Sequence, residues 1–210
     1  MLIDLHNHTL PLSVDSSLTL DGLLARAKER GLDGVCLTEH NAVWKDTARL
    51  DEAANRHGVS VFRGMELSTQ HGHVLVYGVQ AFHASMLSFE QLCRAVESEG
   101  GVLVLAHPQW VSNGRPPTTE VIADYFHGIE VLNGEISNDS HGYVASMATS
   151  LGKFGIGGSD SHSLEAVGRC ATRFENAVGT DEEMVRELRA GNVSAVRLAP
   201  SSNGFGSHKI

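Results

Sequence analysis

Two histidines spaced two apart, His6 and His8, follow the apolar opening Met1-Leu2-Ile3. In an extended strand, side chains two apart project from one face, so both imidazoles would stand together at the strand end and could grip one metal ion. Alone the pair is weak evidence, because twelve histidines among 210 residues give about 0.7 such pairs by chance. His71 and His73 make a second pair. The first gains weight from what recurs downstream: His40, Glu66, His107, Asp160 and His162 each follow a short apolar run. Imidazole nitrogens and carboxylate oxygens, without thiolates, suit Zn²⁺, Mn²⁺ or Fe²⁺. So many donors exceed the needs of one ion and fit two or three, with Glu66 as the natural bridge because a carboxylate can bind two metals. Metals about 3.5–4 Å apart activate water and stabilise the leaving oxygen in phosphoester hydrolysis. Each histidine must be neutral to ligate, so occupancy should fall below pH ~6.5.

Short apolar runs alternate with helical stretches along the chain, the pattern of parallel βα units. The runs predict strands at 2–5, 34–38, 59–65, 74–78, 102–106, 128–132 and 154–158, with further strands at 172–174 and 193–196 in the tail. Helices are predicted at 20–30, 44–57, 89–99, 120–126, 141–151 and 181–190, with Thr19 and Ser88 as N-caps. His6/His8, His40, Glu66, His107 and Asp160/His162 then each lie just past the C-terminal end of a strand. That face carries the active site in α/β barrels. His57, His83, His127, His141 and His208 fall elsewhere and read as surface or packing residues. Residues 109–119 form a Pro/Gly-containing loop long enough to serve as a lid.

The length suits one domain with a substantial core, expected over residues 1–200, with 201–210 frayed. Cys36, Cys93 and Cys170 are far apart and odd in number, which argues for reduced thiols over disulfides or a thiolate zinc site. No apolar run approaches the ~20 residues of a membrane span. Asp4 comes too early for a signal peptide, so cytoplasm is the expected location and no membrane partner is expected. The formal charge of −9 disfavours nucleic acid as a partner. Three bound divalent ions would bring the balance to about −3 and gather positive charge at one spot, able to draw in a small phosphorylated substrate.

The motifs D-L-H-N-H (4–8), T-E-H-N (38–41), G-M-E-L-S (64–68), A-H-P (106–108) and G-S-D-S-H (158–162), in this order, resemble those of the PHP (polymerase and histidinol phosphatase) family, as does Val167-Gly168-Arg169 after them. The resemblance implies a distorted seven-stranded β/α barrel, a cluster of up to three metals, and hydrolysis of phosphoesters. By motif matching, His6, His8, Glu66 and Asp160 would hold the first ion; Glu66, His73 and His107 the second; Asp15, His40 and His162 the third. His73 is preferred over His71 because it directly precedes Val-Leu-Val-Tyr-Gly. The chain departs from the family at Glu39, where Asp is usual and an orienting role toward His40 is the reading. Asp15 lies further from His8 than in many members, with a capping or turn role as its rival.

Arg169, Arg115 in the lid and Asn133 are the candidate substrate-binding residues, and Trp110 could stack on a ring or pack. The expected reaction is hydrolysis of a small phosphomonoester (a nucleotide, sugar phosphate or histidinol-phosphate-like compound) by a metal-bound hydroxide attacking in line; no general acid is assigned. Two alternatives remain. An amidohydrolase-type barrel also begins with an H-x-H strand, yet commonly uses a bridging Lys, and Lys28, Lys45, Lys153 and Lys209 are not at strand ends. The other is a non-catalytic barrel that keeps metal for stability.

Overall fold

The computed structural model describes residues 1–109, 117–136 and 141–200. Strand β1 (Leu2–Asn7) pairs in parallel with β2 (Gly34–Leu37), and β2 with β3 (Ser60–Thr69). The chain then reverses. β4 (Gly72–Tyr77) runs antiparallel to β3 and to β5 (Val102–Leu105), after which β5, β6 (Gly128–Asn133) and β7 (Phe154–Gly158) are parallel again. β8 (Cys170–Phe174) is antiparallel to β1, and β9 (Val193–Arg197) to β8.

The result is an α/β fold built on one barrel-like sheet of nine strands in the order β7-β6-β5-β4-β3-β2-β1-β8-β9, which corrects the seven strands and the uniformly parallel arrangement expected above. The cause of the reversal is local. Only Gln70 and His71 separate β3 from β4, and a connection of two residues makes a hairpin, whereas a parallel crossover needs a dozen or more. The two tail strands were visible as apolar runs; what the sequence did not reveal is that they extend the same sheet beside β1.

Helices α1 (Leu20–Glu29), α2 (Thr47–His57), α3 (Phe89–Glu99), α4 (Thr119–Tyr125), α5 (His141–Ser150) and α6 (Asp181–Ala190) complete the chain. Thr19, Asp46, Thr118 and Thr180 each accept a backbone N–H three residues on, which satisfies a donor the first turn leaves orphaned. Ser88 precedes α3 without a side-chain capping bond. α1 buries Leu20, Leu23, Leu24 and Ala27, its apolar stripe at helical spacing, in a cluster with Val35, Leu37 and Leu50. A second cluster joins Ile3, Leu5, Cys36, Leu75, Val104 and Ile156 from the strands to Met184 and Leu188 of α6. Cys36 and Cys170 are buried and, with Cys93, free thiols. Among the described residues, no helix is long and apolar enough to cross a membrane. The lid expected at 109–119, with Trp110 and Arg115, falls largely outside the described residues, as does the tail 201–210.

The sheet curls until β7 meets β1 and β8. The Gly157 N–H donates to Thr172 Oγ1 at 2.9 Å, and just beyond β7 the Asp160 N–H donates to the His6 carbonyl at 2.8 Å. His8 N–H reaches the Ser161 carbonyl at 3.1 Å. So close an approach excludes side chains. A Cβ on Gly158 would lie 2.4 Å from His6 Cβ and 2.8 Å from Glu130 Oε1. Gly158→Ala is therefore expected to destabilise the protein by about 1–3 kcal/mol through overpacking. Chemical denaturation would measure it, and an unchanged midpoint would show that the seam between β7 and β1 has slack.

Candidate metal centre

One mouth of the barrel gathers the ligand-type residues. His6 is the next-to-last residue of β1, with His8 just beyond; His40 follows β2, His107 follows β5, and Asp160 and His162 follow β7. Two placements differ from expectation. Glu66 lies inside β3, which runs on to Thr69, and His73 lies near the start of β4. Because β4 is antiparallel, its beginning is at the same mouth as the ends of its neighbours, so both side chains still reach the centre.

Glu66 is the hub. Its Oε1 lies 3.0 Å from His73 Nδ1, 3.2 Å from His107 Nε2 and 3.4 Å from His6 Nε2. Its Oε2 lies 3.0 Å from His40 Nδ1 and 3.5 Å from His8 Nε2. Asp160 Oδ1 stands opposite, 3.5 Å from His6 Nε2 and 3.3 Å from His8 Nε2. The His8 ring stacks between those of His40 and His162, with centroids at 4.2 and 4.3 Å. Asp15 Oδ2 is 3.0 Å from His40 Nε2 and 3.6 Å from His162 Nε2. His71 instead packs its ring on Phe89, 4.7 Å away, and leaves the centre to His73.

The carboxylates and imidazoles of the centre shift one another's protonation strongly. Burial opposes ionisation of Glu66, yet His6 and hydrogen bonds from His107 and His40 hold it well below the usual carboxylate range. Asp160 is likewise depressed against the pull of burial, chiefly by His6 and His8. Burial would lower His6, but Asp160, Glu130 and Glu66 outweigh it and raise it well above the ordinary imidazole value. His8 goes the other way, down to about 4, because burial dominates. Two buried carboxylates facing a cluster of imidazoles make a site whose negative charge divalent ions would neutralise.

The donor set fits such ions. His6 Nε2 and His8 Nε2 are buried and make no hydrogen bond, a cost that ligation would remove. Ligand atoms lie within 4.8 Å of one another in the sets His6/His8/Glu66, His6/His107/Asp160, Glu66/His73/His107 and His8/His40/His162. The second ligand group expected from sequence is thus together, as are His6, His8 and Glu66 of the first, whose Asp160 is grouped with His6 and His107. In the third, His8 joins His40 and His162, and Asp15 stands beside both of the latter.

Three residues here hold a positive φ without being glycine: Asn41 (51°), His107 (23°) and Asp160 (54°). Each is a ligand-type residue or the neighbour of one, and such strain persists where surrounding structure over-determines it.

Behind the ligands stand residues the sequence reading missed or misread. Glu130 is fully buried on β6; its Oε1 accepts from His6 Nδ1 at 2.9 Å, and its Oε2 from the His107 N–H at 2.9 Å and Asn133 Nδ2 at 3.0 Å. Its signal was a lone charge in the run Gly128-Ile129-Glu130-Val131-Leu132, since a charge buried in a strand demands partners. Asn133, a candidate to line the pocket, is wholly buried and donates to Glu130 and Asp160. Asp4 accepts the N–H groups of Ser159, His6 and Gly168, and burial pushes its carboxyl up to about 6. Glu39 serves the loop after β1: it accepts from Thr9 N–H, the hydroxyls of Thr9 and Ser13, and Trp44 Nε1. Its link to His40 runs through Ser13, whose Oγ receives the His40 N–H at 3.3 Å and lies 3.3 Å from His8 Nδ1. α2 starts at Thr47 and not at 44, with Asp46 as its N-cap accepting the Arg49 N–H. Arg169 Nη1 donates to Glu135 Oε1 and the Gly134 carbonyl. An open groove of about 480 Å³ runs beside Asp160 and His162, bounded by Glu135, Ile136, Ser163 and Ala166. Arg115 is outside the described residues.

The PHP domain family model matches residues 4–185. Among solved structures, a two-domain protein from Bacteroides vulgatus, described as containing a predicted PHP-like metal-dependent phosphoesterase, is similar with a TM-score of 0.69 and 20% identity, over 94% of this chain and 65% of that one. An amidohydrolase from Chromobacterium violaceum, with bound SO4 and no metal, aligns with a TM-score of 0.62 and 22% identity over 96% and 99% of the two chains. The lesion-specific endonuclease PfuEndoQ from Pyrococcus furiosus aligns with a TM-score of 0.63 and 16% identity, over 92% of this chain and 57% of its own. Endonuclease Q has also been solved with a 27-mer duplex whose abasic lesion is at the active site. That finding overturns the exclusion of nucleic acid drawn above from net charge. A whole-molecule charge averages the surface, whereas one phosphate need only reach one cationic spot.

Proposed function

The chain belongs to the PHP domain family, and on that footing we propose that it is a metal-dependent hydrolase of phosphoesters, acting on a small phosphomonoester from residues 1–200 folded as one domain. The observation that carries the reading is Glu66, a buried carboxylate within 3.5 Å of five imidazoles from four segments of the chain. Two or three divalent ions (Mn, Zn or Fe) would be held by His6, His8, Glu66 and Asp160, by Glu66, His73 and His107, and by Asp15, His40 and His162. Bound there, such ions supply Lewis acidity that activates water and neutralises charge on the phosphoryl group.

The chain's own residues do the rest. His40, His73, His162 and Asp15 are partly exposed while His6, His8, Glu66 and His107 are buried, so substrate approaches from the side of the former. The groove beside Asp160 and His162 falls within the ~300–1,000 Å³ typical of small-molecule sites and would take the leaving group. Arg169, tethered at its rim by Glu135, presents a guanidinium fork to phosphate oxygens.

The test is phosphate release by the purified protein reconstituted with Mn²⁺ or Zn²⁺. The substrates are an aryl phosphate, nucleotides, sugar phosphates and histidinol phosphate, with an abasic duplex scored for strand cleavage and a lactone and an amide alongside. Phosphate release that His107→Ala reduces to background supports the reading; equal release by that variant defeats it. Lactone or amide turnover without phosphate release would move the chain to the activity named for its Chromobacterium relative.

A further inference from the structure

Glu130 receives three donors and offers none. His6 Nδ1 meets its Oε1, while the His107 backbone N–H and Asn133 Nδ2 meet its Oε2. Two of these donors cannot change character. A backbone N–H never accepts, and Asn133 is held in its orientation because its Oδ1 accepts the Glu135 N–H at 2.9 Å. Only the imidazole can adapt, by moving its proton between ring nitrogens. From this arrangement we infer that Glu130 is a positioning residue that decides which nitrogen of His6 faces the metal centre. Facing a carboxylate, Nδ1 keeps the proton, so that with ions bound it is Nε2, 3.4 Å from Glu66 Oε1 and 3.5 Å from Asp160 Oδ1, that would offer its lone pair.

The same carboxylate fixes His107. Its Oε2 holds the backbone of that residue at a φ of 23°, so one side chain sets two ligands from strands β1 and β5. Glutamine at this position would keep the shape and lose the logic. Its carboxamide oxygen must turn toward the two fixed donors, which leaves an NH₂ facing His6 Nδ1. The imidazole must then accept through Nδ1 and carry its proton on Nε2, the atom aimed at the ions. A protonated nitrogen cannot ligate.

This inference rests on the metal-centre reading above, and its test separates the two. Wild type, Glu130→Gln and Glu130→Asp are stripped of metal and titrated with Zn²⁺ by calorimetry, and the zinc-loaded proteins are observed by long-range ¹H–¹⁵N NMR of the imidazoles. We expect Glu130→Gln to bind zinc about 10–100-fold more weakly at unchanged circular dichroism, to lose the zinc-bound Nε2 signal of His6, and to be partly rescued in Glu130→Asp. Unaltered affinity with His6 still bound through Nε2 would overturn the role given to Glu130. A wild type that takes up no zinc would overturn the centre itself and this inference with it. If Glu130→Gln does not fold, the wild-type spectrum decides: Nδ1–H with Nε2 on zinc supports the assignment, and Nδ1 on zinc overturns it.

Discussion

Glu66→Ala is expected to leave the centre with little metal and to lower phosphate release by about three orders of magnitude or more. Both oxygens of Glu66 are committed, one facing His6, His73 and His107, the other His8 and His40. Removing them takes away the only side chain common to the first two ligand groups. A bound ion contributes several kcal/mol of charge stabilisation, and at about 1.4 kcal/mol per factor of ten in rate this gives the size of the loss. Stability would suffer too, because a cluster of buried imidazoles loses its counter-charge, and breaking a buried ionic partnership costs about 3–5 kcal/mol. Glu66→Gln keeps the volume and drops the charge, so it separates the two effects. Elemental analysis beside the phosphate assay is the measurement, and a Glu66→Gln protein with full metal content and full activity would remove Glu66 from the centre of the mechanism.

Metal removal should register as a large change in thermal stability. Ions that bind only the folded state stabilise it by mass action, about 4 kcal/mol when free metal is about a thousand times its dissociation constant. For a chain of this length each kcal/mol moves Tm by roughly 2–4 °C, so loading should raise Tm by about 8–16 °C and chelation should reverse it. The physical source is the buried carboxylates Glu66 and Asp160, whose negative charge bound divalent ions would neutralise. Differential scanning calorimetry with and without a chelator measures the shift. Superimposable traces, with metal absent by elemental analysis in both, would mean that the imidazoles and carboxylates balance one another unaided.

Much of the fold could be read from local pattern. Thr19 and the Leu20/Leu23/Leu24 spacing announced α1, and Val102 to Leu105 read as a doubly buried strand, because caps and periodicity act within a few residues. The hairpin at Gln70-His71 escaped, although its length alone forbids a parallel crossover. Ending the third strand with its apolar run at Met65 placed Glu66 after a strand that in fact continues through it to Thr69. Glu130 was overlooked among apolar neighbours, since what makes it matter is the imidazole and the backbone N–H brought to it from residues 6 and 107. The nucleic-acid exclusion failed for a different reason: charge was summed where it needed to be located.

Amino-acid order by itself determined the donor types, their approach in pairs such as His6/His8 and Asp160/His162, and the family whose motifs they form. Tertiary structure alone decided that Glu66 sits within β3 and meets five imidazoles, that β4 runs antiparallel so that His73 enters at the same mouth, and that Glu130 stands behind His6 and His107, braced by Asn133. The reason is geometric. Donor pairing within a motif follows from the two-residue period of a strand, whereas distances between residues dozens apart depend on strand register and sheet curl, and a slip of one residue would turn every side chain to the opposite face.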